Sequence, residues 1–82
     1  MNKSSKTVSE SKSLISWKAV GRRIRELRGI DITQEDFARR IGVSQGYLSS
    51  IEHGKKEVGA EILLRISREF GKSLEWLLTG HS

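Results

Sequence analysis

One predicted helix face, between residues 44 and 53, carries short polar side chains and no charge. Its outward positions are Gln45, Gly46, Ser49 and Ser50. The amide of Gln45 can bond to N6 and N7 of adenine, and the serine hydroxyls can donate or accept hydrogen bonds. A solvent-facing helix would be expected to carry charge in a chain that contains 15 Lys and Arg residues. The pattern therefore predicts a helix that binds base edges in a DNA groove.

Two short helices joined by a turn would position this face. Thr33 can cap the first helix, and Ser44 can cap the second through its side-chain oxygen. Gly42 can supply the left-handed residue that ends the first helix, and Gly54 can close the second. Apolar residues at helical spacing give each helix an inner face: Phe37, Ala38 and Ile41 in the first, and Val43, Leu48 and Ile51 in the second. The segment 33–54 is therefore predicted to be a helix-turn-helix.

The segment from about Gly21 to Gly80 is similar to the helix-turn-helix family of the phage lambda repressor and Cro proteins, also called the XRE family. Residues that match the family pattern occur in order along the chain: Thr33-Gln34, Ala38, Gly42, Ile51-Glu52 and Gly54. The resemblance implies a compact all-α domain of five helices, with the 44–53 recognition helix in the major groove of double-stranded DNA. It also implies a transcriptional regulator, more often a repressor than an activator.

The resemblance implies two sets of DNA contacts. Bases would be contacted by the outward face of the recognition helix, that is by Gln45, Gly46, Ser49 and Ser50. Family members often carry a side chain where this chain has Gly46, so we expect modest specificity that depends partly on DNA shape. The DNA backbone would be contacted by residues near the starts of the two helices and in the following loop: Gln34, Ser44, Tyr47, Lys55 and Lys56. For the Tyr47 ring, packing against the preceding helix is an open alternative.

An arginine near the end of the family's first helix commonly pairs with a glutamate near the end of the recognition helix. The matching residues in this chain are Arg28 and Glu52. Such a pair would hold the recognition helix in place without contacting DNA, and the alternative is two separate surface charges. The connection over residues 29–32 departs from the family by being shorter than its common form.

Two further helices would pack around this unit. Apolar residues that recur every three or four positions indicate an amphipathic helix over residues 13–28: Leu14, Trp17, Val20, Ile24 and Leu27. A second amphipathic helix is predicted over residues 60–70, ended by Gly71. Its inward stripe is expected to consist of Ala60, Leu63, Ile66 and Phe70.

Ser73 can cap a last short helix that is unusually apolar for its size. Its apolar residues are Leu74, Trp76, Leu77 and Leu78. The resemblance gives them a use, because stand-alone family members often dimerise through the surface of their final helices or the loop before them. The alternative is that Trp76 and Leu77 simply complete the core of one chain. Of the two, we expect a homodimer.

Length and composition limit the other functions. A chain of 82 residues suits one small domain with little room for a catalytic pocket, and its net charge of +5 favours polyanions such as nucleic acid. It contains no cysteine, no metal-ligand pattern around its two histidines and no apolar run that could span a membrane. We therefore expect a cytoplasmic protein without cofactor or metal. Residues 1–12 are expected to form a flexible polar tail before a domain over residues 13–80, and the alternative for the tail is a basic DNA-binding arm that uses Lys3, Lys6 and Lys12.

Two other classes of function compete with a DNA-binding regulator. An antitoxin-like protein would bind a partner protein through the Trp- and Leu-containing end of the chain and would also repress its own operator. A partner that copurifies from the native cell would favour that alternative. An enzyme is not expected, because the sequence has no set of Ser, His and Asp, no paired-acid motif and no Gly-rich phosphate loop.

Overall fold

The structure is a computed structural model that describes residues 14–81. This part of the chain contains five α-helices and no strand. The helices are α1 (Trp17–Arg28), α2 (Gln34–Ile41), α3 (Gln45–Glu52), α4 (Ala60–Phe70) and α5 (Leu74–Thr79). The predicted all-α fold of five helices is confirmed. The predicted tail over residues 1–12, with Lys3, Lys6 and Lys12, lies outside the described residues, so the division into tail and domain stays a prediction.

Serine and threonine side chains fix where four of the helices begin. Each side-chain oxygen accepts a hydrogen bond from the backbone N–H three residues later, a group that the helix itself leaves unpaired. These caps are Ser16 for α1, Thr33 for α2, Ser44 for α3 and Ser73 for α5. The cap at Ser16 corrects the predicted start of the first helix, since Leu14 lies before it and is 94% exposed.

Left-handed glycines end α2 and close the turn after α3. Gly42 has φ 79°, and its N–H donates to the carbonyl oxygens at the end of α2. Gly54 has φ 74°, and the N–H of Lys55 donates to the carbonyl oxygen of Ser50 at 2.9 Å, as in a Schellman cap. Both glycines lie where the sequence predicted a helix end, and Gly42 allows the chain to turn directly from α2 into α3.

The core lies inside a ring of helices. Helix α1 packs against α3 and α5, α2 packs against α3 and α4, and α4 packs against α5. Phe37 and Phe70 stack with their ring centroids 4.6 Å apart, which joins α2 to α4. The largest fully buried side chains come from all five helices: Val20, Ile24, Phe37, Ile41, Leu48, Ile51, Ile66 and Leu77. The recognition helix α3 is thus held between α1 and α2, whereas α4 and α5 close the ring elsewhere.

The two final helices leave some of their apolar residues exposed, which was expected for α5 but not for Ala60 of α4. Ala60, which was expected to face inward, is exposed at the first turn of α4. In α5 the fully buried residue is Leu77, whereas Trp76 is half-buried. Leu64 and Leu74 are exposed by 38% and 41%, respectively. Apolar side chains therefore remain exposed on both α4 and α5.

Candidate nucleic-acid interface

Helix α3 rests on α1 through a close backbone contact at Gly21. A Cβ atom at this position would overlap the carbonyl oxygen of Ile51 and lie 3.0 Å from that of Glu52. The last turn of α3 therefore needs a residue without a side chain on α1. The apolar periodicity of α1 did not identify Gly21 as a contact residue. Its signal in the sequence is a glycine in the middle of a predicted helix, where glycine is otherwise unfavourable.

Arg28 of α1 and Glu52 of α3 form an ion pair with two hydrogen bonds. Arg28 Nε lies 2.8 Å from Glu52 Oε2, and Arg28 Nη2 lies 3.0 Å from Glu52 Oε1. The two side chains are 17% and 3% exposed, so the carboxylate is almost fully removed from water. Arg28 Nη1 also donates to the carbonyl oxygen of Ile32 at 3.3 Å. One guanidinium therefore fixes both the end of α3 and the connection that leads into α2.

The pair keeps Arg28 charged. The hydrogen bond with Glu52 raises the pKa of the Arg28 guanidinium above its usual value, partial burial acts in the opposite direction, and the charge of Glu52 adds to the increase. An arginine is already protonated at any physiological pH, and a raised pKa extends that range further. Protonation of Arg28 is therefore not a switch for this interface.

A glutamine relay connects the ion pair to the exposed start of α3. Gln34 Nε2 donates to Glu52 Oε1 at 3.1 Å, and Gln45 Nε2 donates to Gln34 Oε1 at 3.3 Å. Gln34 was predicted to contact the DNA backbone, yet its side-chain amide is engaged within the protein at both ends. Gln45 is exposed and retains its own carbonyl oxygen and a second N–H for an external partner. The relay therefore holds Gln45 in one orientation at the helix start.

The outward face of α3 is narrower than its sequence predicted. Gln45 and Gly46 are exposed, and a Cβ atom on Gly46 would meet nothing within 4 Å. Ser49 and Ser50 are partly buried. The Ser49 carbonyl oxygen also lies 2.8 Å from His53 Nδ1, which keeps the His53 ring against the helix end. Direct access to this face is therefore greatest in the first turn of α3.

The residues predicted to contact the DNA backbone lie at both ends of α3. Ser44 Oγ accepts from the Tyr47 N–H at 3.1 Å and so acts as the helix cap. The Tyr47 ring is half-buried and packs against the core. Lys55 and Lys56 are exposed in the loop after Gly54, at the far end of α3 from Gln45. These residues border the exposed face on two sides.

Two arginines serve the fold in ways that the sequence did not reveal. Arg23 Nη1 donates to the carbonyl oxygen of Leu77 at 3.0 Å and binds the last turn of α5 to α1. Arg65 pairs with Glu61 at 3.0 Å, and its other guanidinium nitrogen approaches the Ile41 carbonyl oxygen at the end of α2. Both positions look like ordinary solvated charges in the sequence, so a count of basic residues overstates the number of side chains that are free to bind a ligand.

Residues 14–81 offer neither a cluster of metal ligands nor a helix that could span a membrane. That part of the chain brings together no group of three or more His, Cys, Asp and Glu side chains able to hold a metal ion. None of its helices combines the length and apolar composition needed to cross a membrane.

Comparison with known sequences identifies relatives over most of this chain. A helix-turn-helix family model matches residues 22–77. A propionyl-CoA carboxylase regulator from Cereibacter sphaeroides is 36% identical over 63 residues, which cover 76% of this chain but 14% of that protein. Control protein C.MunI from a Mycoplasma species is 38% identical over 61 residues, or 72% of this chain and 82% of that protein. Antitoxin PezA from Streptococcus pneumoniae is 38% identical over 55 residues, or 66% and 35% of the two chains.

Solved structures share the arrangement of helices. The P22 c2 repressor, determined in complex with a synthetic operator, superposes with a TM-score of 0.70 at 33% identity, covering 76% of this chain and 96% of that chain. The restriction-modification controller protein C.AhdI from Aeromonas hydrophila gives a TM-score of 0.67 at 25% identity, with the same coverage of 76% and 96%. The chain therefore spans almost the whole of these two structures, although it matches only a small part of the Cereibacter regulator.

Proposed function

Because the chain belongs to the helix-turn-helix family of the lambda repressor and Cro proteins, we propose that it is a sequence-specific repressor that binds double-stranded DNA. The observation that carries this proposal is the relay from buried Glu52 through Gln34 to Gln45. In this relay the side chains of Glu52 and Gln34 orient the exposed amide of Gln45 at the start of α3. A surface glutamine with no ligand to bind would gain little from such support, because ordering a long side chain costs conformational entropy.

In this mechanism α3 enters the major groove with its first turn leading. Gln45 presents a free amide N–H and its carbonyl oxygen, which match N7 and N6 of adenine. Gly46 lets the backbone approach the bases closely, and the partly buried hydroxyls of Ser49 and Ser50 reach only the nearest base edges. With a single strong base contact per helix, DNA shape contributes part of the specificity.

Contacts with phosphates would set the position of α3 in the groove. Lys55 and Lys56 bind the backbone beyond the end of the helix, where their side chains are exposed. At the other side, the first turns of α2 and α3 leave backbone N–H groups unpaired near Gln34 and Ser44, and the Tyr47 hydroxyl would add a further phosphate contact. Because the Gln34 side chain is engaged with Glu52 and Gln45, its phosphate contact is made by the backbone.

We also propose that the protein acts as a homodimer in the cytoplasm. An α-helix of eight residues is only about 12 Å long and reads few base pairs, so one chain alone gives a short recognition site. Exposed Leu64 and Leu74, with half-buried Trp76, supply an apolar surface on α4 and α5, away from α3 in the ring of helices. A dimer with two-fold symmetry would place two α3 helices on half-sites about 34 Å apart.

The experiment that tests the main proposal is selection of bound duplexes from a random DNA library at near-physiological salt, followed by sequencing. Enrichment of an inverted repeat, with its half-sites about one helical turn apart, is expected. Enrichment of a single short motif would retain the base-reading role and remove the dimer. If no sequence were enriched although the protein was folded, the proposal that it reads DNA sequence would be wrong.

Two substitutions then separate base contacts from phosphate contacts. Gln45→Ala is expected to weaken binding to the selected site by roughly 1 to 3 kcal/mol and to leave non-specific binding nearly unchanged. Lys55→Ala should lower the affinity for every duplex and reduce the salt dependence by about one phosphate contact. Both affinities can be measured by fluorescence anisotropy. Equal losses from the two variants on all duplexes would contradict the roles assigned to them.

A second candidate function is an antitoxin-like module that binds a partner protein and represses its own operator. The similarity to antitoxin PezA favours it, although this chain spans only 35% of that protein. The partner would bind the apolar surface of α4 and α5, in competition with a second copy of the chain. Affinity purification from the native cell should then recover one protein in equal amount with this chain, and recovery of the homodimer alone would argue against it.

A further inference from the structure

Three basic side chains on α1 extend from the surface of the protein. Lys18, Arg22 and Arg25 are exposed, and none has an acidic partner within ion-pair distance among residues 14–81. The other two arginines of the helix are engaged, since Arg23 binds the Leu77 carbonyl oxygen and Arg28 binds Glu52. We call the three exposed residues Lys18, Arg22 and Arg25 the α1 stripe.

The α1 stripe lies on one side of the helix. Positions four and seven residues apart share a helix face, so the three side chains follow one line along α1. Gly21, which contacts the end of α3, is offset from that line by less than a third of a turn. The α1 stripe therefore runs along the outside of the bundle, directly next to the line of contact between α1 and α3.

The first residue of the α1 stripe also adjoins the loop after α3. A Cβ atom on Gly54 would lie 2.7 Å from the Cα atom of Lys18, so the backbones of α1 and this loop almost touch. Lys55 and Lys56 follow Gly54 directly and are exposed. Five exposed cations thus lie on two adjoining segments, α1 and the loop that touches its start. Because α1 also contacts the last turn of α3 at Gly21, these two segments border the C-terminal end of the recognition helix.

We infer that the α1 stripe binds the DNA phosphate backbone outside the groove that α3 occupies, an inference that rests on the function proposed above. Lys18 and Arg25 are separated by about 10 Å along the helix axis. That span is long enough for the three cations to reach separate phosphates of one strand. The stripe carries no base specificity, because phosphates are the same in every sequence.

Salt-dependent binding of single-charge variants tests this assignment. Arg22→Ala removes one cation from the stripe, and Arg68→Ala removes one exposed cation from α4, which packs against α2 and α5 instead of α3. Fluorescence anisotropy titrations of the selected duplex and of a scrambled duplex are repeated over a series of KCl concentrations. For Arg22→Ala, the slope of log K against log salt should decrease in magnitude by about 0.9 on both duplexes. Arg68→Ala should retain the wild-type slope.

Two further variants separate a phosphate contact from a change in folding. Arg22→Lys keeps the charge and should retain the wild-type slope, whereas Arg22→Gln should behave like Arg22→Ala. The triple substitution of Lys18, Arg22 and Arg25 by alanine should reduce the slope by about two to three contacts, while circular dichroism shows an unchanged helix content. On a duplex trimmed to the base pairs under α3, the triple variant and the wild type should bind with equal affinity.

The outcomes distinguish this inference from the proposed function. If the wild-type protein binds no duplex, the proposed function fails and the α1 stripe has no DNA to contact. If the wild type binds a selected sequence but Arg22→Ala and Arg68→Ala give the same slope, the inference alone is overturned. The inference would also be overturned if trimming the duplex lowered the affinity of the wild type and of the triple variant by the same factor. Other residues would then bind the flanking phosphates.

Discussion

At the residue scale, Gly46 is the position where helix stability and DNA recognition have opposite requirements. Glycine inside a helix is less favourable than alanine by about 1 kcal/mol. The fold does not require it, since a Cβ atom at Gly46 would meet nothing within 4 Å. A missing side chain is useful, however, where a backbone must approach a ligand closely. The residue is therefore best explained by the DNA that α3 is proposed to enter.

Gly46→Ala is expected to stabilise the folded protein by about 0.5 to 1 kcal/mol, because alanine is the better helix former and the site is open. The new methyl group projects from the outward face of α3, so the DNA sequence recovered by library selection should change next to the base pair that Gln45 reads. Urea unfolding measures the first effect. A more stable variant with an unchanged DNA preference would show that this residue lies away from the bases.

Gly21→Ala is the matched control, because it makes the same chemical change on α1. Its Cβ atom would overlap the Ile51 carbonyl oxygen, and relief of that overlap requires α1 and α3 to separate. A loss of about 2 to 3 kcal/mol or more is expected in the same urea unfolding experiment. This is a large fraction of the roughly 4 to 12 kcal/mol typical of a chain of this length. If the two glycines responded alike, the close contact between the helices would be wrong.

At the scale of the helices, one network of polar side chains connects α1, α2 and α3. Arg28 belongs to α1, Gln34 to α2, and Glu52 and Gln45 to the two ends of α3. Glu52 is at the centre of this network, because its carboxylate accepts hydrogen bonds from both Arg28 and Gln34. A change at Glu52 is therefore expected to affect the stability of the bundle and the orientation of Gln45 together.

A double-mutant cycle on Arg28 and Glu52 measures that coupling. Glu52→Gln should destabilise the protein by roughly 3 kcal/mol, the lower end for breaking one side of a buried pair, because Arg28 keeps its charge in a site that is 17% exposed. Adding Arg28→Met should restore part of this loss, since no charge then remains unpaired. Urea unfolding of the four proteins gives the coupling free energy, and a value near zero would mean that the two charges act independently.

The pH dependence of this pair follows from the raised pKa of Arg28. A group whose pKa is higher in the folded state adds stability that is fully present below its unfolded pKa and is lost as the pH rises through the folded value. Both values lie in the strongly alkaline range for an arginine. The coupling between Arg28 and Glu52 should therefore be the same at neutral and at mildly alkaline pH, and a decline over that interval would contradict the assignment.

The starts and ends of most helices could be predicted from the sequence because their causes are local. A threonine or serine oxygen at Thr33, Ser44 or Ser73 needs only a backbone N–H three residues away. The predicted start of α1 is too early, because Leu14 fits the apolar periodicity of the helix. The helix begins only after Ser16, whose side chain caps it. Helical periodicity alone does not show at which residue a helix begins or ends.

The parts that depend on contacts between distant segments could not be predicted in this way. Arg23 bonds to a carbonyl oxygen at Leu77, and the side chain of Gln34 bonds to Glu52 and Gln45 instead of pointing outward. In the sequence, Arg23 is indistinguishable from exposed Arg22. The pairing of Arg28 with Glu52 was available only through the family resemblance, because no local pattern connects residues on α1 and α3.

At the scale of the whole molecule, different parts of the ring of helices have different surfaces. Helix α3 presents an uncharged polar face at its start, and the α1 stripe and the loop after α3 place exposed cations near its other end. Helices α4 and α5 instead carry exposed or half-buried apolar side chains, among them Leu64, Leu74 and Trp76. A protein that binds DNA as a pair of chains needs these two kinds of surface, and it needs them apart so that both can be occupied at once.

Leu74→Glu is expected to convert the proposed dimer into a monomer, because each copy would bring a carboxylate into an apolar interface. Sedimentation equilibrium should then give the mass of one chain, and the circular dichroism spectrum should be unchanged because Leu74 is 41% exposed. Ile30→Glu is the matched control, since Ile30 is fully exposed in the connection between α1 and α2. It should leave the mass at that of two chains.

The same variant separates dimer formation from DNA reading. A monomer keeps every residue of α3, so its affinity for a single half-site should remain close to that of the wild type. Its affinity for the full inverted repeat should decrease, because the second half-site is no longer bound by a chain held at high effective concentration. If the Leu74→Glu protein bound both duplexes as the wild type does, α4 and α5 would not form the dimer interface, and their apolar surface would remain available to a partner protein.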